Sequence, residues 1–244
     1  GYVLKKNDYT ILIDPYLSTF IEHPNGLNDK KMKRNFPPTI RPEKINSVDI
    51  VLCTHAHHDH MDPWTLENIT PTFKLYCTET AYIKNQVSLS NNQLNFIDSY
   101  NTINVGEFQI TPFAAAHYHK VDQNGNLDCL SFLIRIGDIK VFFWGDGIIY
   151  DEILDNLSAH HFNMFFAPIN GRDWFREKEG IIGNINSIEL AKICSVLNID
   201  FVFPNHYDLF DYNSEIESHF INYLQKFAPN QKVKIMEQSE IIIL

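Results

Sequence analysis

The segment Thr54-His55-Ala56-His57-His58-Asp59-His60 packs four of the chain's eleven histidines into six consecutive positions. Neutral imidazole is the commonest side-chain ligand for transition metals, and a carboxylate adds charge and can orient water. Alternation along a tight loop sends His55 and His57 one way and Asp59 with His60 another, so one short segment can serve two adjacent metal positions. His58 is expected to face outward. An apolar run, Val48–Cys53, leads into the segment, and Asp62-Pro63 after it reads as a helix cap with proline at the first helical position. The histidines therefore belong on a loop at the C-terminal end of a strand. The internal position and the interposed aspartate argue against a purification tag.

Three other short stretches end apolar runs with a ligand-type residue: Ala114-Ala115-Ala116-His117, Trp144-Gly145-Asp146-Gly147 and Pro204-Asn205-His206-Tyr207-Asp208. Taken singly, a strand-end histidine is more often structural and Gly-Asp-Gly more often a turn. As an ordered set with the heptapeptide, and with Ile11-Leu12-Ile13-Asp14-Pro15 near the start, they resemble the metallo-β-lactamase superfamily. Within it, the likeness is to the L-ascorbate-6-phosphate lactonase-like branch. That resemblance spans practically the whole chain and implies a four-layer αββα sandwich. It also implies that His55, His57 and His117 hold one metal, that Asp59, His60 and His206 hold a second, and that Asp146 bridges them.

The expected cofactors are two divalent ions, Zn2+ or Mn2+, with Fe2+ also suited to this donor set. Open positions on such ions admit water, which marks a catalytic site. Two ions ~3.5–4 Å apart bring a bridging water close to neutral pKa, so that metal-held hydroxide can attack a carbonyl. Asp59 would orient that nucleophile and is the expected catalytic residue. The di-iron flavoprotein variant of the fold carries a glutamate where His57 stands, which speaks against a redox role.

Substrate signals are thinner. The chain has five arginines, and Asn170-Gly171-Arg172 follows the Phe165–Pro168 strand end, where loops of such a sandwich gather over the metals. Arg172 is expected to clamp a phosphate or carboxylate through its two-pronged guanidinium, with a surface pair to Asp173 or Glu177 as the alternative. Asn170 and Tyr207 join it as expected substrate contacts. Tyr207 departs from the branch, which resembles P-x-H-H-D there, and the chain is shorter than the lactonase. The expected substrate is therefore a small anionic lactone or ester. The rivals are a phosphodiesterase on the same fold and a non-enzymatic metal-binding protein.

These residues need a scaffold, and the chain can supply one. Its 244 residues are 44% apolar, enough for a sizeable core. The expected class is α/β (α+β), with two sheets and outer helices in one domain over 1–244. Strands are expected at Tyr2–Lys5, Thr10–Ile13, Val48–Cys53, Lys74–Cys77, Leu94–Ile97, Phe108–Ala116, Leu130–Ile136, Lys140–Trp144, Asn163–Ala167, Phe201–Pro204, Lys232–Ile235 and Glu240–Ile243. Helices are expected after Asp62 and over Thr80–Gln86, Tyr150–Leu157, Asn186–Leu197 and Ser214–Phe227. Asn186 and Glu189 have capping-box spacing. A long loop should fill 16–47. Because the chain opens directly on strand-like sequence, the first strand is expected to be cut short at Gly1.

Twenty basic against thirty acidic residues leave a net charge of −10. That balance disfavours nucleic acid and anionic membrane as partners. No run approaches the ~18 apolar residues of a membrane span. Cys53, Cys77, Cys129 and Cys194 lie far apart and read as buried thiols of a reducing compartment, so cytoplasm is the expected location. A homo-oligomer stays open.

Overall fold

The computed structural model describes residues 1–89 and 93–243. The chain starts with β1 (Tyr2–Lys6) and β2 (Tyr9–Ile13), an antiparallel hairpin whose turn puts Asn7 at φ 51°, a left-handed conformation that asparagine tolerates. The 16–47 stretch is mostly irregular, with a 3-10 turn at Pro42–Lys44. It leads to β3 (Ile50–Leu52), α1 (Pro63–Asn68), β4 (Lys74–Cys77), α2 (Glu79–Asn85) and β5 (Leu94–Phe96). These strands form one sheet in the order β1-β2-β3-β4-β5, parallel from β2 onward.

The second sheet holds β6 (Ile103–Val105), β7 (Phe108–Ala115), β8 (Cys129–Ile136), β9 (Ile139–Phe143), β10 (His161–Pro168), β11 (Asn198–Asn205) and β12 (Lys232–Val233). Neighbours in sequence are neighbours in the sheet. β6 to β9 pair antiparallel, and β9 to β12 parallel. The parallel crossovers carry α3 (Ile153–Ser158), then α4 (Trp174–Lys178) and α5 (Ser187–Val196), then α6 (Glu217–Phe227).

Side-chain alternation builds the layers. Ile11, Ile13, Ile50 and Leu52 meet Phe132, Ile134, Val141, Phe143 and Phe166 in a core between the sheets. The intervening residues Leu12, Val51 and Leu75 face the other way and pack with Leu66 and Ala81 of α1 and α2. On the far side of the second sheet, Phe142, Phe165 and Val202 pack under Leu157, Leu190, Ile193 and Phe220 of α3, α5 and α6. The result is the αββα order expected from the sequence.

Some expectations fail for local reasons. Glu240–Ile243 forms no strand: Ile241 and Ile243 are 82% and 91% exposed, and Ile242 alone of the three packs partly against the central core. The strand expected over Lys232–Ile235 stops at Val233. The helix expected from Ser214 begins at Glu217, because Asp211–Asn213 forms a separate 3-10 turn. Neither β6 nor α4 was expected. Asp173 caps α4 by accepting from the Phe175 and Arg176 amides, but the helix buries no residue, so it leaves no apolar periodicity to read.

Candidate metal centre

The sheet pairing brings the ligand-type residues to one rim. β2 and β3 are parallel, so Asp14 and the 54–60 loop leave the first sheet at the same end. β7 and β9 both run against β8, and β9, β10 and β11 run together, so His117, Asp146, Asn170 and His206 leave the second sheet at one end. The Leu130 amide donates to the Thr54 carbonyl at 2.8 Å and ties the two rims together. Gly145, at φ 69°, lies where a Cβ would meet the Thr54 methyl at 2.9 Å; only glycine lets Asp146 come this close to the histidine loop. Within that loop the His60 and Met61 amides both donate to the His57 carbonyl, at 2.9 and 2.8 Å, curling the heptapeptide so that its side chains diverge into two groups.

One candidate ligand atom from each of His55, His57, His117 and Asp146 lies within 4.8 Å of the others, and the same holds for Asp59, His60 and His206. Asp146 stands between the groups. Its Oδ2 is 3.9 Å from His55 Nε2, 3.8 Å from His117 Nε2 and 3.3 Å from His206 Nε2. Its Oδ1 is 3.3 Å from His60 Nε2. Asp59 Oδ2 is 3.3 Å from His206 Nε2 and 3.7 Å from His60 Nε2. All seven sequence-derived ligand candidates therefore converge. His58 does not join them; its ring lies 5.1 Å from that of Phe20.

Buried polar atoms ordinarily find partners, yet His55 Nε2, both ring nitrogens of His117, Asp146 Oδ1 and His206 Nε2 have no hydrogen bond. Donor lone pairs gathered in this way fit divalent cations held by nitrogen and oxygen. The electrostatics agree. Burial pushes His117 down to about 4, His55 well below and His57 below the ordinary histidine value, leaving neutral imidazoles that can bind a metal. In the second group burial again opposes a charged ring, but Asp146 and Asp59 outweigh it, raising His206 to about 10 and His60 well above its usual value. Burial likewise disfavours the ionised Asp59 and Asp146, and His60 and His206 overcome it, holding both carboxyls well below their ordinary range.

The expected substrate contacts fare differently. Arg172 gives its fork to a protein carboxylate: Nη1 and Nη2 donate to Glu189 at 2.9 and 2.7 Å, and Nη1 also donates to the Asn184 carbonyl at 2.7 Å. The geometry that suited an anion clamp is spent on the capping box of α5, where Glu189 also receives the Asn186 amide. Neither Asp173 nor Glu177 takes the guanidinium. Asn170 is buried, passing hydrogen bonds to Asn213 and from Asn184, both at 3.0 Å. Tyr207 packs against the core beneath the outer helices. Trp174 is 64% exposed.

Sequence reasoning singled out Asp14 without giving it a role and missed Asn184. Asp14 accepts from the Thr54 amide at 2.7 Å and its hydroxyl at 2.8 Å. Asn184 accepts the Gly147 amide at 2.9 Å, starting a buried amide chain through Asn170 and Asn213 to Arg176. The hint for Asp14 was its place at a strand end before proline; nothing local marked Asn184. The four cysteines are buried and free, as expected. No helix among the described residues is long and apolar enough to cross a membrane.

A family profile described as a beta-lactamase superfamily domain matches residues 9–207. A UPF0173 metal-dependent hydrolase of Caldivirga maquilingensis is 24% identical over 244 residues, covering 96% of this chain and 90% of that protein. Among solved structures, one of a possible metal-dependent hydrolase from Veillonella parvula superposes with a TM-score of 0.75 at 15% identity, over 99% of this chain and 95% of that one. An isothiocyanate hydrolase from Delia radicum gut bacteria gives 0.74 at 14% identity, with the same coverage; likenesses this distant speak to the fold alone. The profile match, spanning most of the chain and every one of the seven converging residues, shows that this protein belongs to the beta-lactamase superfamily, in its metal-binding αββα form.

Proposed function

We propose that the chain is a metal-dependent hydrolase that opens a small ester or lactone at its carbonyl carbon. The observation that carries this reading is the pair of donor groups sharing Asp146, with buried ring nitrogens of His55 and His117 that have no hydrogen-bond partner. Two divalent ions held there would supply an activated water and an electrophile for the carbonyl oxygen. His55, His57 and His117 would hold one ion, Asp59, His60 and His206 the other, and Asp146 both. Asp59, ionised and 3.3 Å from His206 Nε2, is placed to accept a hydrogen bond from the attacking water and fix its direction. Hydrolysis adds the water oxygen to the carbonyl carbon, breaks the bond to the departing oxygen and delivers a proton to that oxygen.

Elemental analysis of metal-loaded protein, followed by assay of esters, lactones and phosphodiesters after chelation and metal restoration, tests the reading. The expected result is two ions per chain, with carbonyl hydrolysis lost on chelation and regained with Zn2+ or Mn2+. Activity that survives chelation, or that is confined to phosphodiesters, would overturn it.

A further inference from the structure

A cleft of about 440 Å³ opens beside His117, walled by Tyr118, His119, Asp128, Glu177, Gly180, Ile181 and Ile182. That size suits a small-molecule site, and its contact with His117 puts its occupant next to the proposed reacting centre. Its charge is one-sided. Among the described residues no lysine or arginine side chain lines it, while two carboxylates do. Asp128 is paired with Lys84 at 2.6 Å, and that lysine is half exposed. Glu177 accepts a hydrogen bond from the Tyr118 hydroxyl, a neutral partner that leaves its charge uncancelled. Arg172 is near enough for Glu177 to stabilise its charge, but its fork is closed on Glu189. Three carboxylates thus stand against two cations.

The rest of the wall is Tyr118, Ile181, Ile182 and Gly180, with the His119 imidazole beside them. Tyr118 takes φ 96° immediately after His117 and is 39% exposed. Outside that lining, one turn before Glu177, α4 exposes Trp174 and Phe175 at 64% and 74%, with Lys178 Nζ 5.6 Å from the centre of the Trp174 ring. Aromatic faces beside a carboxylate favour a cation with apolar surface, and a like charge placed against Glu177 would cost binding energy.

We propose, building on the hydrolase reading, that this cleft receives the part of the substrate beyond the scissile carbonyl and selects against negative charge, taking a cationic group with apolar surface best and an uncharged one next. The substrate class is thus a neutral or cationic ester or lactone, not the anionic one that Arg172 suggested.

Three acetate esters test this on the metal-loaded protein: those of choline, of its uncharged carbon isostere, and of a hydroxy acid of the same length. Each kcat/KM is divided by the ester's own alkaline hydrolysis rate. The choline ester is expected to exceed the hydroxy-acid ester by at least about tenfold, the isostere falling between. Glu177→Gln should bring the ratio of choline to isostere towards one, and Glu177→Lys should favour the hydroxy-acid ester, both variants being checked for unchanged circular dichroism. A hydroxy-acid ester cleaved as well as the choline ester, or a ratio that Glu177→Gln leaves unmoved, would overturn the proposal. If none of the esters is cleaved, the hydrolase reading is decided by the lactone and phosphodiester assays described above. The cleft is then judged by calorimetric binding of choline against the free hydroxy acid: tighter choline binding that weakens in Glu177→Gln supports it, and equal or reversed binding overturns it.

Discussion

Asp14 and His60 meet through Oδ2 and Nδ1 at 2.8 Å, although 46 positions separate them. The same carboxylate oxygen receives the Thr54 hydroxyl, which lies 3.0 Å from His55 Nδ1. One aspartate therefore fixes a histidine in each donor group and turns both Nε2 atoms towards Asp146. Asp14 reaches this place because β2 ends at Ile13 and the backbone swings left-handed, φ 47°.

Asp14→Asn should keep the shape but remove the charge that orients His60. Partners of metal-bound histidines are worth about 10–100-fold in affinity, so competition titration against a chromophoric chelator should show a loss of that size. Affinity within twofold of the unaltered protein would show that His60 is positioned by other contacts.

His57→Ala, Asp59→Asn and Asp146→Asn should each slow ester turnover by roughly a thousandfold or more, since metal activation is worth several kcal/mol of barrier. Far-ultraviolet dichroism should stay intact. Near-normal turnover in His57→Ala at saturating metal would remove the histidine loop from the chemistry.

Metal loading should release protons, and the sign follows from the second group. His206 is raised from 6.5 to about 10 in the metal-free protein, so at neutral pH it is charged and must lose its proton to bind. Affinity at the Asp59–His60–His206 group should therefore rise with pH across that interval. The same shift gives the metal-free fold a stabilising contribution that is fully present below 6.5 and lost as pH rises through about 10. Calorimetry in buffers of different ionisation enthalpy counts the protons; none released at pH 7 would contradict this assignment.

Much of the centre was legible because its residues sit at strand ends, where an apolar run stops and chemistry begins. His55, His57, Asp59 and His60 share one loop, and their spacing alone separates them into two groups. The partner of Arg172 was not legible for the opposite reason. Arg172 finds Glu189 only because the loop after β10 folds back over the start of α5, with the Gly171 amide on Ile185 and the Asn184 amide on Gly171. Charge scarcity in the sequence cannot say which carboxylate takes an arginine. In the fold, the β1–β2 and β8–β9 hairpins and the capping box were readable from turn and cap residues, whereas Glu240–Ile243 carried strand composition without a neighbouring strand to pair with.

Arg172→Ala should consequently lower the melting temperature without selectively raising KM for anionic substrates, because the guanidinium holds Asn184 and Glu189 in place. Asn184→Ala should do more. It strips the Gly147 amide of its acceptor beside Asp146, and a buried donor left without a partner costs about 1–3 kcal/mol. Asn184→Asp, which keeps that acceptor, should recover part of the loss. Thermal melts of all three variants, with and without metal, check the order; a larger shift in Arg172→Ala than in Asn184→Ala would reverse it.

The outermost strands of the larger sheet are short, two residues in β12 and three in β6, and the smaller sheet ends on three-residue β5 and on β1, which closes with Lys5-Lys6. An unpaired edge is a template for adding a foreign strand, and short or lysine-bearing edges offer few rungs to it. With parallel pairing central in both sheets, the chain must expose its apolar strands while distant segments find one another. These short margins offer little purchase for polymerising edge to edge during that search, and extending β12 beyond Val233 would lengthen the template.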